Sequence, residues 1–242
     1  MKVRTRIFLL AALLATVLTG TFSYGHLALA GGGNETPYTD EFFLDDCSFS
    51  TKGSNRFFIL EPDYQLTLSG VEKDGTKIVL AITVLGQTRD VDGVRTRIVE
   101  ERETADGKLI EVSNNYFAIC QQSNSVFYFG EKVDFYVGGV VVSHKGSWLA
   151  GENNAKAGLF MAGLVLLGSR YQQETAPEVA MDRAEIVSMS EVVNTPAGIF
   201  ENVLKTKDTT PLEPRAVEYK LFAAGIGLIQ DGILKLTEHG FV

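Results

Sequence analysis

The chain has 242 residues, 45% hydrophobic and 21% charged, with a formal net charge of −8 at pH 7. A surplus of acid repels phosphate backbones and anionic headgroups, so neither nucleic acid nor a polybasic membrane-docking mode is expected. The length suits one large domain or two small ones.

The first segment reads as an address. Lys2, Arg4 and Arg6 precede the uncharged apolar run Ile7–Leu18, and Ala28-Leu29-Ala30 gives the small-x-small pattern of a signal-peptidase site. At about 12 residues the run falls short of the roughly 20 needed to span a bilayer, so residues 1–30 are expected to be a cleaved signal. The mature protein is then extracytoplasmic, periplasmic or secreted, and not integral to the membrane. The segment carries three basic residues and no acidic ones, so its loss deepens the charge from −8 to −11. No cysteine follows the run directly, which disfavours lipid attachment.

Residues 31–54 read as a flexible acidic leader: Gly31-Gly32-Gly33, then Glu35, Asp40, Glu41, Asp45 and Asp46 with no basic residue before Lys52. Phe42, Phe43 and Leu44 are the residues that would pin it to the domain. Cys47 and Cys120 form either a disulfide, in an oxidising compartment, or two buried apolar thiols.

Residues 55–242 read as a β-rich domain. Tyr64, Leu66 and Leu68 alternate with Gln65, Thr67 and Ser69, the period of a strand with one wet face. Asp74-Gly75 marks a turn, and Ile78–Leu85 is apolar on both faces, which calls for cover on both sides. Asp92-Gly93 and Asp106-Gly107 bracket a charged strand over Val94–Thr104. Strands are then expected over Lys108–Ile119 and Val126–Phe129, and at Val133–Val137 and Val140–His144 around the Gly138-Gly139 hairpin position. Later strands are expected at Ala184–Val193, Ile199–Lys207, Ala216–Phe222, Ile226–Ile229 and Ile233–Thr237. Turns every ten residues or so imply a sandwich, a barrel or a strongly curved sheet.

Ala157–Gly168 breaks the rhythm. It is uncharged and rich in glycine and large apolar residues, and it reads as a buried plug or short helix, or as a mobile apolar lid over a ligand cavity.

Chemistry-bearing motifs are sparse. His144 and His239 lie far apart, there is no Cys-x-x-Cys or His-x-x-x-His, and neither a Gly-x-Ser-x-Gly elbow nor a phosphate-cradling loop occurs. No metal, no cofactor and no catalytic residue is therefore expected. The densest polar-aromatic stretch runs through Tyr128-Phe129-Gly130 and Tyr136 to Ser143-His144-Lys145-Gly146-Ser147-Trp148. A second runs through Tyr171-Gln172-Gln173-Glu174 to Asp182-Arg183-Ala184-Glu185, where carboxylates beside an arginine are most simply structural pairs.

An ordered string joins these stretches: Tyr128-Phe129-Gly130-Glu131, Val142-Ser143-His144-x-Gly146-Ser147-Trp148-x-Ala150-Gly151, Met161 and Tyr171-x-Gln173-Glu174. It continues through Ala180-x-Asp182-x-Ala184-Glu185, Thr195-Pro196-Ala197-Gly198-x-Phe200, Leu212-Glu213-Pro214, Glu218-Tyr219-Lys220 and Gly225-Ile226-Gly227-Leu228. This resembles a family of exported bacterial proteins of unknown function, loosely akin to periplasmic lipoprotein-carrier-like half-barrel folds. The chain departs from that pattern at Ala224 and Ala162, where the pattern leads one to expect proline, and at Glu178, where it leads one to expect glycine.

The expected fold is mainly β: one strongly curved antiparallel sheet or half-barrel with a short apolar segment or helix packed on one side. The expected function is that of a non-catalytic binding protein for an apolar or lipid-like ligand, contacted by Tyr128, His144, Trp148, Met161, Tyr171 and Glu174. The alternative is an envelope protein-protein interaction or assembly module, and a third reading is an enzyme using His144 with Glu174 or Asp182. N-terminal sequencing of the exported protein is expected to begin at or beside Gly31, and an intact Met1 would make the segment an anchor instead.

Overall fold

The computed structural model describes residues 37–242. The expected signal segment and the start of the expected leader lie outside the described residues. Eighteen strands follow a single 3-10 turn at Leu44–Asp46. The first eight are β1 (Phe49–Ser50), β2 (Ser54–Asn55), β3 (Phe58–Ile59), β4 (Tyr64–Val71), β5 (Lys77–Val91), β6 (Val94–Ala105), β7 (Lys108–Cys120) and β8 (Ser125–Val137). Next come β9 (Val140–Ser143), β10 (Trp148–Leu149), β11 (Lys156–Met161), β12 (Arg170–Gln172) and β13 (Glu174–Thr175). The last five are β14 (Arg183–Thr195), β15 (Gly198–Thr209), β16 (Val217–Ala223), β17 (Gly227–Asp231) and β18 (Leu234–Phe241).

The main sheet runs β12-β14-β15-β16-β17-β18-β4-β5-β6-β7-β8-β11-β13, and the ladders joining these strands are antiparallel. These 13 strands form a nearly closed barrel with one seam. The strong curvature expected from the sequence is thus carried almost to closure. The turns are those the Asp-Gly and Gly-Gly pairs imply. Asp92 and Gly93, for example, have φ of 49° and 77°, the left-handed pair that a two-residue hairpin needs.

The seam is bridged by the chain itself. β12 at one end of the sheet stops at Gln172, and β13 at the other end starts at Glu174, so Gln173 alone spans the gap. Its backbone N–H donates to the Asp182 carbonyl at 2.7 Å. Gly158 on β11 makes this approach possible, since a Cβ there would sit 2.5 Å from the Gln173 carbonyl.

That close approach explains where the apolar segment 157–168 lies. It is neither helix nor plug: its first part is wall strand β11, paired to β8 and β13, with Met161 fully buried opposite Val126. The rest is a surface loop in which Leu164, Leu166 and Leu167 are exposed.

The described part of the leader, residues 37–54, is tied down at several points. Thr39 forms a bridge to Tyr171, Cys47 is disulfide-bonded to Cys120, and β1 pairs with β7. Arg97 donates to the Thr51 carbonyl at 2.8 Å. The expectation of a flexible leader therefore does not hold for residues 37–54. The reason is apolar: Phe127 and Phe129 flank the inward-facing Tyr128, and Phe42 and Phe49 cover them edge-on at 5.3–6.0 Å between ring centroids. Cover thus falls on β8. The outer face of β5 stays half-buried at Val79, Ala81 and Leu85, beside polar cross-strand neighbours such as Thr104 and Arg102.

The disulfide joins residues 73 apart in sequence. In the chain-entropy view, a double Cys47→Ser, Cys120→Ser variant is expected to lose roughly 4 kcal/mol of unfolding free energy. Urea titration measures this, and limited proteolysis should then cut within residues 37–54. An unchanged urea midpoint would mean that the aromatic contacts alone hold the leader.

Candidate functional site

Inward-facing side chains divide the barrel interior into two adjoining chambers. The first is apolar, lined by residues that include Leu66, Ile82, Val84, Val99, Phe222 and Leu228, and it encloses about 40 Å³. A buried water needs roughly 10–15 Å³ by the same measure, so this space holds a few water-sized groups. The second encloses about 10 Å³, room for one such group, and is lined by Asn115, Tyr128, Glu131, Gln173 and Glu174 among others. Glu101, Phe117, Phe160 and Lys220 line both chambers and form the partition.

Register explains the assembly. On β6, Val99 and Glu101 share a face, and they lie opposite Asn115 and Ser113 on β7. Across the next ladder, Asn115 lies opposite Glu131 and Phe117 opposite Tyr128 on β8. Lys220 on β16 faces Thr206 on β15 and Asp231 on β17. Its ammonium lies 3.2 Å from Asp208 Oδ2, with both side chains buried. The seam contributes Gln173 and Glu174. The partition is aromatic, with Phe117 stacked on Tyr128 at 4.8 Å and edge-on to Phe160 at 5.0 Å.

Hydrogen bonding in the polar chamber is incomplete. The Tyr128 hydroxyl donates to Asn115 Oδ1 at 2.6 Å, and the Asp182 backbone N–H donates to Glu174 Oε1 at 2.7 Å. Glu131 Oε1, Gln173 Oε1 and Glu174 Oε2 are buried without a partner. Buried polar atoms are usually satisfied, so three unpartnered oxygens on neighbouring residues are unusual, and a protonated carboxyl oxygen among them is a donor as well as an acceptor.

Burial dominates the proton chemistry. It pushes the carboxyls of Glu101, Glu131, Glu174 and Asp182 well above the ordinary range, and their mutual repulsion adds to the effect. The Lys220 ammonium is opposed by burial, but Asp208, Asp231, Glu218 and Asp182 outweigh that and keep it protonated. Burial also raises the phenols of Tyr128 and Tyr171. Among the described residues, no three His, Cys, Asp or Glu side chains are grouped to hold a metal ion.

The six residues singled out in the sequence fall in different places. Tyr128 and Glu174 line the polar chamber, and Trp148 packs edge-on against Tyr128 at 5.3 Å with its Nε1 unpartnered. Tyr171 is buried at the seam, its hydroxyl without a partner. Met161 is core and lines neither chamber. His144 lies outside the interior: its side chain is 63% exposed, with Nδ1 2.6 Å from Asp134 Oδ1. It therefore does not join Glu174 or Asp182 as an acid–base pair. Sequence reasoning missed Glu101, Glu131, Phe160 and Lys220. For Lys220 a signal exists, a lone lysine directly before Leu221-Phe222-Ala223, but Glu101 is one of several charged residues on its strand.

No family model, no curated protein and no solved structure matches the chain.

The half-buried Glu111 offers a test of the interior electrostatics. Burial raises its carboxyl to about 7; a hydrogen bond from Ser113 opposes the shift, and Glu103 adds to it. The fold holds this proton more tightly than the unfolded chain does. The contribution to stability is complete below the ordinary value of 4.5 and is lost as pH rises through about 7. Glu111→Gln is thus expected to stabilise at pH 8 by on the order of 2 kcal/mol relative to wild type, and to do little at pH 4. Equal effects at both pH values, by urea unfolding, would show that Glu111 is not held protonated.

Proposed function

We propose that this is an extracytoplasmic, non-catalytic binding protein that takes a small amphipathic molecule inside the barrel. One observation carries the reading: two small interior chambers, both mainly apolar at their surfaces and the second bordered by Glu131, Gln173 and Glu174, share a wall formed by Glu101, Phe117, Phe160 and Lys220. Binding sites for small molecules are mostly apolar with a few placed polar groups, and that is the composition here. Phe58, Ile59, Ile226 and Gly227, which line the apolar chamber from short strands and turns, are the proposed entrance. Export is supported by the signal-like segment 1–30, and the Cys47–Cys120 bridge is compatible with an oxidising compartment.

A second reading, an envelope interaction module, is favoured by the β8–β9 hairpin. Val137, Val140 and Val142 are each more than half exposed there, and β9 pairs on one side with β8. An exposed apolar hairpin of this kind is a template for strand addition.

Trp148 is the only tryptophan and touches Tyr128, so its emission reports on the interior. Titration with n-pentyl ligands of differing head group is expected to give a saturable shift with at least one of them. Val99→Phe, which fills the apolar chamber, is expected to weaken that binding at least tenfold, and Val99→Leu to weaken it less. Near-UV circular dichroism checks that both variants fold. Binding unchanged in folded Val99→Phe would place the ligand elsewhere and favour the hairpin reading.

A further inference from the structure

We infer that the seam is a pH-operated latch: Gln173 keeps the barrel shut while Glu174 and Asp182 carry their protons, and ionisation of these two acids opens the wall there to water. The latch works whether or not a molecule is bound inside, so its failure and that of the interior-binding reading are separate results.

The seam closes through groups of the two acids themselves. The Gln173 N–H donates to the Asp182 carbonyl at 2.7 Å, and the Asp182 N–H donates to Glu174 Oε1 at 2.7 Å. The ladders on either side are short. β12 meets β14 over Arg170–Gln172, and β13 meets β11 at Glu174 and Thr175, with a further bridge from Thr39 to Tyr171. By contrast, β6 and β7 pair from Arg97 to Ala105. A wall held by few main-chain bonds is the place where local opening costs least.

The balance of buried charge sets the protonation. Glu101, Glu131, Glu174, Asp182, Asp208 and Asp231 are all buried, and Lys220 is the buried lysine among them. Its ammonium lies 3.2 Å from Asp208 Oδ2 and cannot offset them all. Unpaired charge is too costly in a dry space, so most of these acids stay neutral while the barrel is closed. Glu174 Oε2 has no hydrogen-bond partner that would favour its anion.

The neighbours of the two acids act in the same sense. At Glu174, burial opposes ionisation first; Glu131 of β8 and Asp208 of β15 add to it, while the Asp182 N–H and Lys220 of β16 favour the anion. At Asp182, burial is again first, followed by Glu174 and Asp208, with Lys220 and Thr210 favouring the anion. Glu101 of β6 and Glu111 of β7 act on Glu131, and Asp231 of β17 and Glu218 act on Lys220. The basic groups flanking the seam are engaged elsewhere: Arg170 with Glu185, Arg183 over the Tyr38 ring, and Lys156 of β11 at 4.0 Å from Glu41. The closed barrel thus holds protons that the opened one releases. Closure is firmest below the ordinary carboxyl range and weakens as pH rises through the raised values. Water has to reach Glu174 and Asp182 for both to ionise, and the bonds in its way are the two that join them to the seam.

Amide hydrogen exchange on the disulfide-bonded protein tests this, with each rate corrected for its intrinsic dependence on pH. Between pH 5 and pH 9 the protection of the Gln173 and Asp182 amides is expected to fall at least tenfold, and that of Val99 and Val112 in the long ladders less than threefold. The double variant Glu174→Gln, Asp182→Asn keeps an acceptor for the Asp182 N–H and removes both ionisable groups, so its seam protection should change less than threefold. Should the double variant fail to fold, Asp182→Asn alone leaves the backbone groups of the seam in place and is expected to show a smaller fall than wild type. Seam protection that does not fall in wild type, or that falls equally in the variant, would overturn the latch. A parallel loss at Val99 and Val112 would also overturn it, since the acids would then govern global unfolding instead of the seam.

Discussion

Everything inside this molecule follows from how the sheet meets itself at Gln173. A curved sheet with open edges admits water between its faces, and a carboxylate there keeps its hydration. Once one residue links the strands at both ends of the path, the interior becomes a closed low-dielectric space. The link is local in sequence and joins opposite ends of the ladder: β12 is paired to β14, β13 to β11, and one peptide lies between them. Gly158 permits it, because any side chain there would collide with the Gln173 carbonyl. Glu174 is therefore buried in the interior as a consequence of closure, and its backbone neighbour holds the seam.

Closure also sets the terms on which charge survives within. Removing ions from water costs several kcal/mol each even after relaxation, and a buried pair seldom recovers all of it. Lys220 and Asp208 form one such pair, and four carboxyls nearby avoid the cost by keeping their protons. The polar interior is thus poor grounds for stability. An apolar filling of the same volume is often as stable or more so, so folding energetics alone do not account for this constellation inside a barrel with ample apolar core elsewhere.

The strands were legible in the sequence because their signals are local. Alternation at Tyr64–Ser69 gave β4, and Asp92-Gly93, Asp106-Gly107 and Gly138-Gly139 gave their hairpins, since positive φ is a property of two residues and needs no tertiary context. The site was less legible because its signals are not local. On β6, Val94–Ala105 carries charges on both faces, and only closure decides that Glu101 turns inward while Arg102 stays wet. Ala157–Gly168 looked like a plug because its glycines argue against a helix without showing what they argue for. Gly158 answers to a partner fifteen residues later, and the exposed leucines beyond Met161 belong to a loop. Similarly, the leader looked like a tail because nothing in its own composition reveals that Phe127 and Phe129 need cover. Glu178 is a further case: it adopts a φ of 65°, a conformation that costs a side-chain-bearing residue more than glycine.

The division of the interior has its own logic. Phe117 and Phe160 stand between an apolar chamber built mainly from β4–β6 and β16 and a polar one built from β7, β8 and the seam. Phe58 packs against both rings, at 5.1 and 5.3 Å, and itself lines the apolar chamber. It sits on a two-strand ribbon, β2–β3, that pairs with nothing in the main sheet. The ring that braces the partition is therefore held outside the ladders, by Asn55 donating to the Asn124 and Ala162 carbonyls and by the Gly225 N–H donating to the Arg56 carbonyl, whereas Phe117 and Phe160 ride on wall strands.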